Sequence, residues 1–80
     1  MMEKKQKHGD FYIRLGLNVA YYRKLKGYTQ LQLAEAIDIS RTHMSNIEAP
    51  NIVTAVSLDT LIDIANKLEI PMSKLLDFKE

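Results

Sequence analysis

Residues 29–48, TQLQLAEAIDISRTHMSNIE, carry the start signals of two short helices separated by a very short connection. Thr29 and Gln32 have the spacing of a capping box, in which each side chain bonds the other residue's backbone N–H. Ser40 is a second helix N-cap. Only AIDIS, residues 36–40, connects the two helices, so they must cross steeply rather than run antiparallel. This stretch therefore predicts a helix-turn-helix at about residues 29–48.

The residue types around this connection fit a close crossing. Ala34 is expected at the point where the two helices cross, because the crossing leaves little room for a larger side chain. Asp38 occupies the turn position that needs a positive φ, which Asp tolerates better than most residues other than glycine. The sequence thus predicts the sharp turn as well as the two helices.

The second of these helices, at about 41–48, has an unusual composition. Only Met44 and Ile47 are apolar, and they lie three residues apart. The other face carries compact hydrogen-bonding groups: Arg41, Thr42, His43, Ser45 and Asn46. A solvated polar face is the simpler interpretation of such a helix by itself. The helix and turn that precede it favour the alternative, in which this polar face binds a partner.

The segment before the helix-turn-helix predicts one long helix with apolar residues on two sides. Asp10 is its expected N-cap and Gly27 its expected C′ glycine. One stripe consists of Phe11, Leu15, Val19 and Tyr22, and the other of Ile13, Leu17 and Tyr21. For the second stripe, a dimer or partner surface and burial under the tail or a last helix are equal alternatives.

Two further helices complete an all-α fold of five helices. Ser57 is the expected cap of the fourth helix, and Pro71 marks the start of a short fifth helix through Leu75 and Leu76. The predicted core stripe of the fourth helix is Leu58, Leu61, Ile62, Ala65 and Leu68. No alternating strand pattern competes. Residues 10–80 form one domain, and residues 1–9 are a flexible basic tail rather than a DNA-contacting arm.

Composition excludes several classes of function. Eighty residues suffice for one small domain, and 46% hydrophobic with 26% charged residues is typical of a globular protein. With no cysteine there is no disulfide or thiolate metal site, and no apolar run approaches the roughly 18 residues of a membrane span. The chain also has no secretory apolar region after its amino terminus. We expect a cytoplasmic protein that does not enter membranes.

The chemistry of catalysis is also missing. No cysteine or close carboxylate cluster accompanies His8 or His43, and neither has a convincing serine and acid arrangement. The three glycines, Gly9, Gly16 and Gly27, form no phosphate-binding loop. We therefore expect no metal, no cofactor and no enzymatic activity.

Charge is unevenly distributed along the chain. The formal net charge is +1, but residues 1–50 carry eight basic and five acidic side chains, whereas residues 51–80 carry three basic and five acidic. A positive first half fits a molecule with one anion-facing side, although so small a difference also arises by chance.

Taken together, LNVAYYRKLKGYTQLQLAEAIDISRTHMSNIEAPN and SLDTLIDIANKLEIPMSKLL resemble the phage-repressor (Cro/repressor, XRE-like) helix-turn-helix family over roughly residues 15–77. The resemblance rests on the order of five signals along the chain: Arg23, Thr29-Gln30, Leu33-Ala34, Ile39-Ser40 and Ile47-Glu48. It implies a lambda-repressor-like DNA-binding domain whose second helix meets a phosphate of double-stranded DNA while the third enters the major groove.

The resemblance also implies roles for individual residues. Those expected to contact bases are Arg41, Thr42, Ser45 and Asn46. Gln30 is the residue that the resemblance implies for a phosphate contact. The direction of His43 makes a phosphate contact and a base contact equally plausible, and Asn51 and Thr54 of the following loop are expected to contact phosphate in place of the family's basic residues. Arg23 and Glu48 resemble an interhelical ion pair that fixes the tilt of the recognition helix.

The segment after Glu48 departs from the family pattern. The family commonly has Asn or Arg and then Gly, followed by a short basic loop that grips phosphate. Here the loop is APNIVTAV, about two residues longer and without Lys or Arg. Electrostatic affinity should be weaker, since each missing cationic contact lowers the salt slope by roughly one. Ile52 and Val53 would cap the core or meet a partner.

Two hypotheses follow. The first is a sequence-specific transcriptional regulator, a repressor, acting as a homodimer on an inverted repeat with half-sites about 34 Å apart. Its dimer contact would come from Met72, Leu76 and Phe78 or from the second stripe of the first helix. The alternative is a protein-interaction module, antitoxin-like or accessory, whose helix-turn-helix docks a protein partner.

Overall fold

The computed structural model describes residues 7–78, which form five α-helices and no strand. The helices are α1 (Gly9–Leu25), α2 (Gln30–Ala36), α3 (Arg41–Glu48), α4 (Leu58–Leu68) and α5 (Met72–Leu75). The predicted all-α class and the order of its five helices are confirmed. Most of the predicted tail, residues 1–6, lies outside the described residues.

The ends of α1 differ in how well the sequence predicts them. Asp10 was the expected N-cap, but this prediction is wrong: α1 starts at Gly9 after His8, whose side chain makes no capping hydrogen bond. Asp10 instead pairs with Arg14 one turn later, with 3.1 Å between Oδ2 and Nε. At the other end Gly27 has a φ of 85°, as expected for a C′ glycine.

The capping predictions for α2 and α3 are confirmed. Thr29 Oγ1 accepts from the Gln32 backbone N–H at 3.0 Å, and Gln32 Oε1 accepts from the Thr29 N–H at 2.8 Å. Ser40 Oγ accepts from the His43 N–H at 2.9 Å. Asp38 has a φ of 62°, so the turn has the predicted left-handed conformation. The turn and helix starts are thus specified by residues close in sequence.

One hydrophobic core joins all five helices. The helix α1 lies centrally and packs against α3, α4 and α5. The ten clustered core residues are Leu15, Val19, Leu33, Ala34, Met44, Leu61, Ile64, Ala65, Leu68 and Leu75. Ala34 is fully buried, in agreement with its predicted place at the crossing of α2 and α3. The short helices α2 and α3 are therefore held by packing rather than by their own helical stability.

The core face of α4 differs from the prediction. Leu58 and Ile62 were expected inside but are 64% and 38% exposed, while Ile64 is fully buried. The buried set Leu61, Ile64, Ala65 and Leu68 has the i, i+3, i+4, i+7 spacing of one helix face. The apolar stripe of α4 is wider than the face it buries, so the packing of α4 against α2 and α5 selected which residues enter the core.

The two stripes of α1 have different environments. From the first, Leu15 and Val19 are buried but Phe11 is 41% exposed; from the second, Leu17 and Tyr21 are 47% and 58% exposed. The last helix therefore does not bury the two most exposed members of the second stripe, and the tail that was the other expected cover lies mostly outside the described residues. Ile13 is half-buried.

The C-terminal segment lies along α1. Pro71 precedes α5 as its N-cap and Leu76 follows it, so the predicted fifth helix is confirmed with slightly shorter bounds. Asn18 Nδ2 donates to the backbone oxygens of Leu75 at 2.9 Å and Asp77 at 3.2 Å. The Phe78 ring meets Phe11 edge to face, with 5.2 Å between centroids. Among the described helices, none has the length and apolar character that would carry it across a membrane.

The closest approach of α1 to α3 occurs at Gly16. A Cβ atom on Gly16 would collide with the backbone carbonyl oxygen of Ile47, near the end of α3. Only glycine therefore allows α1 and α3 to lie this close. Arg23, which also contacts α3, lies seven residues later and on the same side of α1.

Substitution of Gly16→Ala should displace α3 and destabilise the protein. We expect a loss of about 1–3 kcal/mol, as for overpacking in other cores, because the obstacle is backbone rather than a flexible side chain. Amide chemical shifts of Ile47 and Glu48 should change along with a lower Tm. Gly27→Ala is the comparison: no atom lies within 4 Å of a Cβ there, so its strain from a φ of 85° should leave the α3 shifts unchanged. Wild-type shifts and Tm in Gly16→Ala would refute the steric role.

An exposed ion pair joins the ends of α1 and α4. Lys26 Nζ lies 2.7 Å from Glu69 Oε1, and this hydrogen bond, followed by the Lys26 charge, lowers the pKa of Glu69 from its ordinary 4.5. The lowered pKa means that the folded state prefers the carboxylate. The pair therefore stabilises the fold above the ordinary pKa, and this contribution disappears as pH falls through the lowered value.

Substitution of Lys26→Met should raise the pKa of Glu69 back toward 4.5. The measurement is a titration of the Glu69 side-chain carboxyl carbon by NMR. Lys24→Met removes another exposed lysine of α1 and should leave the titration unchanged. Equal Glu69 pKa values in wild type and Lys26→Met would show that the pair does not form in solution.

Candidate nucleic-acid interface

The helix α3 is anchored by one face and leaves the other free. Met44 is fully buried and Ile47 is 2% exposed, so these two side chains attach α3 to the core. Arg41 and Thr42 are exposed, while Ser45 and Asn46 are half-buried. Positions i, i+1, i+4 and i+5 share one side of a helix. The four predicted base-contacting residues thus lie together on the outward face of α3.

Arg41 is the most available charged group of this face. Its side chain is exposed and has no hydrogen-bond or ion-pair partner among residues 7–78. A free guanidinium with two parallel N–H donors is suited to bidentate acceptors such as a guanine edge or a phosphate. His43 is half-buried and lies about 100° around the helix from Thr42, so it is beside this face rather than on it.

The far end of α3 is fixed by the predicted pair of Arg23 and Glu48, which the structure contains. Arg23 Nε lies 2.7 Å from Glu48 Oε2, and Nη2 lies 2.8 Å from Oε1. The two side chains are only 8% and 5% exposed. Arg23 Nη1 also donates to the Tyr28 backbone oxygen at 2.7 Å, immediately before α2. One guanidinium thus joins the end of α1, the connection to α2 and the end of α3.

Sequence reasoning missed the side-chain partner of Gln30. Its Nε2 donates to Glu48 Oε1 at 2.9 Å, linking the first residue of α2 to the last of α3. The expected phosphate-contacting residue is therefore already hydrogen-bonded to the structural ion pair. The two residues are 18 positions apart, and no local spacing rule relates them.

The side chains of the loop after α3 are largely exposed and make few contacts. Asn51 is exposed and Thr54 half-buried, and neither side chain has a hydrogen-bond partner within the described range. Ile52 and Val53 are 45% and 40% exposed, so the expectation that they cap the core is wrong. Only the end of the loop is held to the core, because Val56 packs against the core cluster while Ile52 and Val53 remain exposed.

The described residues also provide no group of three or more His, Cys, Asp or Glu side chains positioned to bind a metal ion.

Comparison with known proteins agrees with this geometry. The sequence pattern of the helix-turn-helix family matches residues 19–75. The transcriptional regulator SinR of Bacillus subtilis is 34% identical over 65 residues, which cover 81% of this chain and 58% of SinR. The chain thus spans less than two thirds of this curated relative.

Two solved structures have the same arrangement of helices. The structure of SinR, the master regulator for biofilm formation, in complex with DNA has a TM-score of 0.72 and 33% identity, covering 79% of this chain and 98% of that one. The restriction-modification controller protein C.AhdI from Aeromonas hydrophila has a TM-score of 0.73 and 25% identity, covering 80% and 94%. The chain belongs to the helix-turn-helix family of XRE-like transcriptional regulators, as its phage-repressor resemblance predicted.

Substitution of Glu48→Ala should strongly lower thermal stability. It leaves the buried Arg23 guanidinium without its carboxylate, and breaking a buried pair in this way costs about 3–5 kcal/mol. For a domain of this size, a loss of that order lowers Tm by more than roughly 10 °C. Thermal unfolding followed by circular dichroism measures this.

Two further variants make this experiment specific. Glu35→Ala removes an exposed carboxylate of α2 and should change stability by less than about 0.5 kcal/mol. The double variant Arg23→Met with Glu48→Leu should recover part of the loss, because well-packed apolar groups often replace a buried pair without cost. An unchanged Tm in Glu48→Ala would count against the structural role of the pair.

Proposed function

We propose that this protein regulates transcription by binding a specific DNA sequence, with α3 in the major groove. The observation that supports the proposal is the outward face of α3, where hydrogen-bonding side chains converge on a helix fixed at its far end by buried charged groups. A helix of eight residues is about 12 Å long, comparable with the width of the major groove.

The chemistry of this face matches base edges. Arg41 would bond guanine O6 and N7, and Asn46 would bond adenine N6 and N7, in the common bidentate pairings. Thr42 would bond a base or contact a thymine methyl group, and Ser45 would bond either type of edge. Each bidentate contact supplies about 1–3 kcal/mol of discrimination against a wrong base.

The phosphate contacts in this proposal are made by Gln30, His43, Asn51 and Thr54. None of the four is a lysine or arginine, and the loop after α3 adds no cation. Since counterion release requires cationic contacts, affinity should fall with salt less steeply than for regulators with a basic loop.

The assembly in this proposal is a homodimer bound to an inverted repeat with half-sites about 34 Å apart. One small domain buries limited DNA surface, so two copies provide specific affinity. The exposed Leu76 with Met72 and Phe78, or the exposed Leu17 and Tyr21 of α1, would form the contact. The bound dimer would repress transcription by occupying its DNA site. It would act in the cytoplasm, where the DNA of the bacterial relatives lies.

A protein-interaction module is the second candidate, supported by the exposed Ile52 and Val53 beside the end of α3. In that case the helix-turn-helix and this apolar loop would dock a protein partner, as an antitoxin-like or accessory protein does. The absence of cations from the loop suits such a surface as well as it suits weak phosphate binding.

Selection from a pool of random DNA sites, followed by mobility shift at several salt concentrations, separates the two candidates. Enrichment of one motif that is bound more tightly than random DNA supports the regulator. Absence of enrichment at every salt concentration rejects it and leaves the interaction module.

Substitutions Arg41→Ala and Asn46→Ala should each relax preference at a different base without unfolding the protein. We expect a loss of about 1–3 kcal/mol of discrimination at one guanine and one adenine position respectively. Selection with each variant measures this. Arg14→Ala and Asn66→Ala remove the same residue types from α1 and α4 and should retain the wild-type motif. If the α3 variants also retain that motif and its affinity, the recognition-helix assignment is wrong.

A further inference from the structure

We infer that Glu48 is a positioning residue for DNA binding, because its buried carboxylate holds the Gln30 amide in place for a backbone phosphate. The inference rests on the proposed DNA-binding function and adds to it. It assigns to the ion pair a second role besides fixing α3: it orders a contact residue on a different helix.

The chemistry of the contact determines which way the Gln30 amide faces. An ionised carboxylate only accepts hydrogen bonds, so the atom of Gln30 that lies 2.9 Å from Glu48 Oε1 must be the amide nitrogen. A primary amide has two N–H donors, and this bond uses one of them. Gln30 is half-buried, and its amide makes no other hydrogen bond within residues 7–78, so its second donor remains for a ligand.

The carboxylate that holds Gln30 is itself immobile. Arg23 bonds both of its oxygens, at 2.7 and 2.8 Å, and the Glu48 side chain is only 5% exposed. The Gln30 amide is therefore the last member of a chain of charge-assisted hydrogen bonds that begins at α1. Such an amide is ordered before DNA arrives, so binding loses less side-chain entropy than it would with a mobile glutamine.

The same bond relates the two DNA-contacting helices. Gln30 is the first residue of α2 and Glu48 is the last of α3, so the phosphate contact keeps a fixed distance from the base-reading face. The negative charge of Glu48 does not oppose this arrangement. It is buried and paired with Arg23, so a DNA phosphate encounters little net charge from it.

Gln32 provides a natural comparison within the same helix. Its amide oxygen accepts from the Thr29 backbone N–H in the capping box. Gln32 and Gln30 are thus both ordered glutamines of α2, but only Gln30 is bonded to Glu48.

The principal test compares Gln30→Met in two backgrounds, wild type and the double variant Arg23→Met with Glu48→Leu, after circular dichroism has shown each variant to be folded. Methionine keeps the length of the side chain but has no N–H donor. Fluorescence anisotropy with the selected DNA and with random DNA then gives Kd at several salt concentrations. In the wild-type background, Gln30→Met should weaken both complexes about tenfold for each bound protomer, the loss expected for one hydrogen bond to a charged group.

Two features of that result identify the mechanism. The salt slope should stay unchanged, because a neutral side chain releases no counterions. In the Arg23→Met and Glu48→Leu background, which has no acceptor at position 48, Gln30→Met should change Kd by less than about twofold, because both changes act on one coupled contact. Gln32→Met should lower Tm through loss of the capping box while Kd stays at the wild-type value.

A second measurement does not depend on the stability of Glu48 variants. In the ¹⁵N-labelled wild-type protein, the Gln30 side-chain amide should show a heteronuclear NOE close to that of the helix backbone. Addition of the selected DNA should shift mainly one of its two Nε2 protons, the one not bonded to Glu48. A mobile Gln30 amide in the free protein overturns the inference.

The failures of the inference and of the proposed function are distinguishable. If wild type binds a selected motif but Gln30→Met binds it equally well, or loses the same affinity in both backgrounds, the inference is wrong and DNA binding stands. If wild type selects no DNA motif, the proposed function fails and the inference fails with it, even if the amide is rigid.

Discussion

The buried pair of Arg23 and Glu48 is the interaction on which the rest of the structure depends. Burial of two charges is costly unless each remaining donor and acceptor is satisfied. Here the guanidinium bonds the carboxylate twice and a backbone oxygen once, and the carboxylate also accepts from Gln30. No buried side-chain nitrogen or oxygen within residues 7–78 lacks a partner. The main effect of the pair is therefore to specify one arrangement of α1, α2 and α3, and its net contribution to the free energy of unfolding is secondary.

The helix α1 acts as the scaffold for α3 through two different constraints. Gly16 removes a side chain so that the backbones can approach, and Arg23 supplies a directional charged contact. The first is a steric limit on distance, whereas the second fixes orientation. Because both act on the last residues of α3, the start of α3 with Arg41 remains free to meet a ligand.

The composition of the loop after α3 bears on how this protein would bind DNA. It has no lysine or arginine, and its Ile52 and Val53 are exposed to solvent. Affinity that does not come from cations must come from hydrogen bonds with well-defined geometry, which depend on ordered side chains. The hydrogen bond from Gln30 to the buried Glu48 carboxylate is the kind of contact that such a binding mode requires.

The sequence by itself determined the features that depend on neighbouring residues. The caps of α2, α3 and α4, the left-handed Asp38 and the C′ glycine Gly27 all involve residues within a few positions, so their side chains specify them locally. The pair of Arg23 and Glu48 was accessible only through the family resemblance. The tertiary structure alone decided which side of α4 is buried, why Gly16 is needed, and that Gln30 bonds Glu48. These features depend on how the helices pack against one another, and packing sums contacts among distant residues that no local pattern contains.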